Sequence, residues 1–472
     1  MLLIVSILAV GGLAVCVADW RSGMLICVLV GFLSDVVRKV TPDQPVYFVV
    51  VVGVFVGAVA VGFIRQYGLV NVTNIRVLRG AVRVPLILFL IWLAFEAFVS
   101  LGRYGNFALV GIGLLSYLAP VPGFLIAYYY GLRVQSAVRF IKFYVICALL
   151  MLSGIFLSFS GFEAPLLEEV GSGVLIHVPG GVLESYPGFL RSTEGAAWHA
   201  AAAISLILVL AISGVVRWPR LVFVILVILL LSVGLMTGRR KMLMEVLIFA
   251  GIYGTLLFAY RREIGRMMVI GSIMAGVLGV VGALGVLDSS TAERQRFDVY
   301  VERGATVFGD ADDRFAELGL GSIGWALDGY GFFGGGLGVA SQGGQHFGGG
   351  ADRYGGAGEG GLGKIVAELG VPGLVLVFWI VGALLFYLGR LIPEIARLDD
   401  PIVPFFLGVV AFLGANIPLF IVATQIFGDL FVLLILGWIF GFSMAISEVV
   451  LSVNARRRLG SSVNAKTSAY VG

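Results

Sequence analysis

The chain is built from apolar runs about as long as a bilayer is thick. LILFLIWLAFEAFVSLG (86–102) carries a single ionisable residue, and AAAAISLILVLAISGVV (200–216) carries none. A hydrocarbon core roughly 30 Å thick takes about 20 apolar residues per helix. Inside it every backbone N–H and C=O must be satisfied within the segment, so such runs fold as transmembrane helices. They lie near 2–18, 23–36, 46–64, 84–100, 107–130, 140–160, 196–216, 219–236, 242–260, 267–287, 371–392, 403–424 and 426–450, thirteen in all. The second is short and ends in Asp35, and YLAPVPGFL (117–125) puts two prolines into the fifth, so the expected count is twelve to fourteen. Only 13% of the residues are charged, against about a quarter in soluble proteins, which excludes a soluble enzyme. The expected fold is an all-α polytopic transmembrane helical bundle.

Orientation follows from Lys and Arg, which concentrate in cytoplasmic loops. With NARRRLG (454–460) placed inside, alternation also puts the segments 65–83, 131–142, 217–220, 261–266 and 389–398 inside, and all of these are rich in Arg or Lys. The N-terminus is then outside. Met1–Val17 reads as an uncleaved first span, because no A-x-A-like site precedes ADWRSG (18–23). The expected organisation is N-terminal helices over 1–160, an outer loop over 161–195, and central helices over 196–287. A large glycine-rich outer loop over 288–370, C-terminal helices over 371–453 and a disordered basic tail over 454–472 complete it. Long loops in a compact architecture usually carry function. Residues 319–373 hold 22 glycines in 55 positions, too many for an independently folded domain, so this loop is expected to drape over the helices.

Several chemistries are disfavoured. Cys16, Cys27 and Cys147 all fall inside spans and read as small packing residues. GLGKI (361–365) lacks the Ser or Thr and the leading spacing of a phosphate loop, and GGGLGVAS (334–341) follows no strand of a βαβ unit. His177, His199 and His346 are the only histidines, too few for an ordinary histidine zinc site. GDADDR (309–314) offers Asp310, Asp312 and Asp313 to a hard cation, but such residues in a wet loop are ordinarily solvated. No metal or other cofactor is expected. The net charge of +4 follows from topology and gives no evidence for nucleic acid.

The outer face carries arginines that the topology does not require. Arg191 lies in PGFLRSTEG (187–195), Arg239 and Arg240 in the short turn TGRRK (237–241), and Arg314 in the large loop. The bland reading is snorkelling or contact with lipid headgroups. Against it, adjacent cations repel one another unless an anion joins them. Glu245 lies one helical turn after Lys241 and can neutralise it, whereas Arg239 and Arg240 have no local partner. A guanidinium matches phosphate oxygens bidentately, and a lipid-linked pyrophosphate places such an anion at this depth. Sugar transfer from that carrier needs cations for the departing pyrophosphate and a carboxylate or histidine for the proton of the incoming hydroxyl.

FLRSTEGAAWHAAAAISLILVL (189–210), LLLSVGLMTGRRKMLMEV (229–246), WALDGYGFFGGGLGVAS (325–341) and GEGGLGKIVAELGVPGLVLVF (358–378) resemble, in this order, the motifs of bacterial O-antigen polymerases and ligases. The resemblance covers roughly residues 180–380. It implies a GT-C-like membrane glycosyltransferase of the bacterial inner membrane, with a cytoplasmic C-terminus, that acts on undecaprenyl-pyrophosphate-linked oligosaccharide at the periplasmic face. Membrane lipid, a chain-length regulator and export proteins are the further partners such an enzyme would have. Arg191 and Arg240 match the family's arginines and would bind the pyrophosphate, with Arg239 and Arg314 beside them. Gly336 and Gly338 belong to the family's glycine motif and would contact glycan; Tyr330 is an aromatic that can stack on sugar, though aromatics at an interface more often anchor in the membrane.

Glu359 stands where ligases usually carry His-Asn, which favours a polymerase. It is the first candidate for the general base and His346 the second, the alternative for Glu359 being a carboxylate that satisfies an outer arginine. Glu368 reads as a charge at the start of the eleventh span. The rival readings are ligase-type transfer to another acceptor, a transporter or flippase of lipid-linked sugars, and a noncatalytic scaffold of an export complex.

Overall fold

The computed structural model of the chain describes residues 2–68, 75–170, 175–178, 181–261, 271, 299–300, 303–304, 315–341, 360–398 and 400–469. Helices occupy twelve of the thirteen expected spans, and the tenth, 267–287, lies almost wholly outside the described residues. In chain order the N-terminal helices are α1 (Leu2–Ala18), α2 (Trp20–Val40), α3 (Val51–Tyr67), the short α4 (Arg76–Arg79), α5 (Arg83–Tyr104), α6 (Phe107–Leu118), α7 (Pro120–Gly131) and α8 (Val134–Phe159). A hairpin of β1 (Leu175–Val178) and β2 (Gly181–Glu184) follows, antiparallel, with Leu175 opposite Glu184. Then come α9 (Thr193–Ser213), α10 (Arg220–Met236), α11 (Lys241–Arg261), a π-helical turn (Phe315–Gly321), α12 (Ser322–Tyr330), α13 (Gly361–Ala396), α14 (Val403–Val422) and α15 (Leu430–Ala469). Among the described residues nine helices are long and apolar enough to cross a membrane, and the chain is a multi-pass helical membrane protein.

The fifth span, expected over 107–130, holds as one despite its prolines: Pro120 takes the first position of α7, Ala119 keeps right-handed helical angles, and Phe107–Gly131 forms one 25-residue apolar run, while three other expectations are corrected. A proline at a helix start has no hydrogen bond to lose. The large loop ends ten residues early, because α13 already begins at Gly361. Its first turns carry Lys364 and Glu368, both buried in protein rather than facing lipid, so hydropathy does not register them as part of a span. Glu368 therefore lies within a helix instead of opening one, and its Oε2 accepts from the Tyr117 hydroxyl at 2.8 Å. Finally, α15 continues through the basic segment to Ala469 where a disordered end was expected. A nucleated helix extends readily through alanine, arginine and leucine.

The core is laid around α9 and α15. Residues 196–210 of α9 are buried throughout, and the alanines of AAWHAAAA let α8, α10, α11 and α14 approach closely. Trp198 Nε1 donates to Asn416 Oδ1 of α14 at 2.9 Å, which satisfies one polar group from each helix in an otherwise apolar layer. Helix α15 lies along α7, where a Cβ on Gly437 or Gly441 would stand 2.4 and 2.6 Å from the carbonyls of Pro120 and Phe124. Small residues four apart give such helices their van der Waals contact, since lipid offers no hydrophobic drive for pairing.

Residues 331–341, in the described part of the large loop, pack against the bundle. Helix α13 breaks at Gly370, which has φ +67°. The freed backbone groups are met from outside the helix. The Val371 N–H donates to the Phe332 carbonyl at 2.8 Å, Gly335 N–H donates to the Ala367 carbonyl at 2.7 Å, and Trp92 Nε1 donates to the Leu369 carbonyl at 2.8 Å. Residues 331–341 thus form a plug that closes the break in α13 and seats it against α5. Trp92→Phe keeps an aromatic ring, though a smaller one, and removes one of these bonds. It should cost about 1 kcal/mol, read as a small fall in Tm of the detergent-solubilised protein, whereas an unchanged Tm would show the bond to be idle.

Candidate functional site

A cavity of ≈ 590 Å³ opens at one end of the bundle, where α2 ends, α9, α11 and α15 begin and α14 runs out. Two of the expected cytoplasmic segments meet away from the cavity, where Arg76 of α4 lies 3.7 Å from Glu394 near the end of α13. The cavity wall includes Arg38, Arg191 and Arg239 together with Glu169, Glu194 and Asp429. Apolar side chains of α6 and α15 and residues 46–50 ahead of α3 complete it.

Helix ends supply the charges. The Ser192 side chain caps α9 by accepting from Gly195 N at 3.2 Å, which sets Arg191 just before the helix and Glu194 in its first turn. The carboxylate of Glu194 there is favoured by the helix dipole. Asp429 precedes α15 and accepts from Phe431 N through Oδ1 at 2.8 Å, leaving Oδ2 to take the Arg191 Nη2 at 2.7 Å. The Arg191 backbone N–H donates to Asp35 Oδ2 of α2 at 3.1 Å. Three chain segments far apart in sequence are thus tied at Arg191.

Arg239 is held from α9. Its Nε donates to Thr193 Oγ1 at 3.1 Å and its Nη1 lies 3.3 Å from Glu194 Oε1. Glu194 also takes Lys241 Nζ at 3.1 Å, and the Gln425 amide, oriented with its nitrogen inward, donates to both carboxylate oxygens. Thr193 in turn donates through its N–H and hydroxyl to Glu169 Oε1, at 3.2 and 3.4 Å. Beside this, Lys39 donates to the carbonyls of Leu166 and Gly188, fixing the 161–192 loop to α2, and Arg38 donates to the Gln44 carbonyl. Burial holds the Glu169 carboxyl above its ordinary range, and the Thr193 donors with the charges of Arg239 and Lys39 offset only part of that.

The cavity wall carries three cations, Arg38, Arg191 and Arg239, and three carboxylates, Glu169, Glu194 and Asp429, with Lys39, Lys241 and Asp35 tied in behind them. The arrangement suits an anion with several oxygens. A guanidinium has five N–H donors, and Arg191 uses only Nη2 in its pair with Asp429. The carboxylates aim the guanidinium groups and keep them aimed without a ligand.

Of the expected site residues, the structure brings Arg191 and Arg239 into one cavity. Arg240 is half-buried and does not line it, because successive side chains at the start of α11 diverge. Lys241 does not pair with Glu245, which is buried in the bundle; it reaches across to Glu194. Arg239 does have a partner, supplied by α9. Tyr330 ends α12, Gly336 and Gly338 lie in the plug, and none of the three is part of the cavity wall. The Tyr330 ring packs edge-on to Trp325, and the two glycines are buried against Ser100 of α5 and Leu109 of α6. Glu359, His346 and Arg314, with Asp310, Asp312 and Asp313, lie outside the described residues. Ser341, the last described residue before His346 and Glu359, is part of the cavity wall.

Sequence reasoning missed Arg38, Glu169, Glu194, Asp429 and Gln425. For Arg38 a signal existed: SDVVRK (34–39) puts two cations on the outer face by alternation, against the positive-inside bias, as TGRRK does. The carboxylates carried no such signal, because Asp and Glu contribute little to topology. No protein-family model matches the chain, and neither a characterised protein nor a solved structure was found to be similar to it.

Proposed function

We propose that the protein is a polysaccharide polymerase that joins undecaprenyl-pyrophosphate-linked oligosaccharide units at the periplasmic face of the inner membrane. The observation that carries this reading is the meeting of Arg191 and Arg239, from separate loops, in one cavity at the loop-bearing end of the bundle. The pyrophosphate is gripped by these guanidinium groups with Arg38 beside them. As the bond to the anomeric carbon breaks, charge grows on the departing oxygens, and cations already in place stabilise it without reorganisation. The cavity volume of ≈ 590 Å³ falls in the range of small-ligand sites, about 300–1,000 Å³, and accommodates a diphosphate with its first sugar.

Binding of undecaprenyl pyrophosphate to the full-length protein in lipid nanodiscs tests this. A charge-assisted hydrogen bond contributes about 1.5–3 kcal/mol, or roughly a tenfold to hundredfold change in Kd. Arg239→Ala should weaken binding by that factor. Arg76→Ala, away from the cavity, should leave it unchanged. Equal affinity of the wild type and Arg239→Ala would remove the support for a pyrophosphate site here.

A further inference from the structure

We infer that Glu169 is the base that takes the proton from the attacking sugar hydroxyl. The inference rests on the proposed reaction and assigns its proton to one carboxylate of the cavity.

Three carboxylates line that cavity, and two are already neutralised. Asp429 is bound by Arg191, and Glu194 by Arg239, Lys241 and Gln425. Glu169 differs. Among the described residues it makes no ion pair within 4 Å, and its contacts are the N–H and hydroxyl of Thr193, both to Oε1. Its Oε2 is enclosed and has no hydrogen-bond partner. The torsion that carries a carboxylate is broad and twofold, so a small turn brings Oε2 to a hydroxyl entering the cavity.

The neighbours fit the role. Lys39 of α2 and Arg239 ahead of α11 act on Glu169 electrostatically, and Thr193 of α9 bonds to it directly. Arg38, Arg191 and Glu194 share its cavity. Burial outweighs these charges and keeps the carboxyl above its ordinary range, which suits proton transfer near neutral pH. In the step, the acceptor hydroxyl gives its proton to Oε2 as its oxygen bonds to the anomeric carbon. The bond from that carbon to the pyrophosphate oxygen breaks, and the pyrophosphate leaves with the electron pair, held by Arg191 and Arg239. The glutamic acid then loses its proton to water.

Glu169→Gln is a sharp test, because glutamine still accepts from Thr193 through its carbonyl but cannot take a proton. In the native host, with the chromosomal copy replaced, polymer should fall by about a hundredfold or more. Lipid-linked single units should accumulate, while undecaprenyl pyrophosphate binding in nanodiscs stays as in wild type. Glu169→Asp should retain residual polymer. In membranes, wild-type polymer formation should fall as acid protonates Glu169, with a midpoint above the usual carboxylate range, and Glu169→Asp should move that midpoint. Wild-type polymer from Glu169→Gln overturns the inference. So does joint loss of polymer and pyrophosphate binding, which would make Glu169 a positioning residue for Thr193 and Arg239. An acid limb that Glu169→Asp leaves unmoved also overturns it. If the wild type binds no undecaprenyl pyrophosphate, the proposed reaction itself fails, a result distinct from all of these.

Discussion

Arg191→Ala should abolish polymer and lower Tm, and adding Asp429→Ala to the same chain should restore most of the Tm but none of the polymer. Arg191 and Asp429 side chains are 19% and 16% exposed, so their 2.7 Å pair is largely shielded from water. Removing one partner of such a pair leaves a buried uncompensated charge, at a cost of about 3–5 kcal/mol. Removing both takes away that unpaired carboxylate, so most of the penalty disappears, and the remainder falls on Asp35, which loses the Arg191 charge but keeps the backbone N–H of residue 191. If Arg191 served stability alone, the double variant would regain function along with Tm. In the proposed reaction the guanidinium also meets the departing pyrophosphate, and no alanine can replace it there. Polymer chains of normal length from the double variant, assayed in the native host, would show that Arg191 is a structural residue only.

The second large effect is expected at the plug. Gly338 has φ +88°, a conformation that costs an L-residue about 1–2 kcal/mol. A Cβ there would stand 2.2 Å from the Leu109 carbonyl oxygen, a backbone atom of α6 that cannot swing aside. Gly338→Ala must therefore push residues 331–341 off the bundle and expose the break in α13 that they close. The expected loss is several kcal/mol in total, about 1–2 of them from φ, read as a marked fall in Tm and as new protease cleavage near the plug. Gly331 is the control. Its φ is +77°, but a Cβ would meet nothing within 4 Å, so Gly331→Ala should lose only the backbone contribution, about 1–3 kcal/mol. Equal losses at the two positions would mean that backbone angle, and not contact with α6, sets the requirement for glycine.

The two variants mark where the sequence was legible. The transmembrane helices were, because transfer of a 20-residue run into lipid sums over neighbouring residues, and that sum can be read along the chain. The helical first turns of α13 were not: Lys364 and Glu368 are buried against Tyr117 and its neighbours, so their hydropathy gives the wrong answer for their surroundings. The gathering of outer cations was half legible. TGRRK announced itself by breaking the positive-inside bias, and Arg38 would have done so by the same logic. The glycines of 334–338 read as accommodating a ligand, and their observed contacts are with backbone of α5, α6 and α13.

By itself, then, the sequence determined a multi-pass helical bundle and singled out Arg191 and Arg239, which the structure brings to one end of it, since hydrophobicity and loop charge act on each segment where it stands. Only the tertiary structure decided which carboxylate answers which cation. Arg191 is matched by Asp429, 238 residues away, and Lys241 passes over Glu245, one turn along its own helix, to reach Glu194. Ion pairing depends on distance through space and on the loss of water around both groups, and neither quantity exists until the helices have packed.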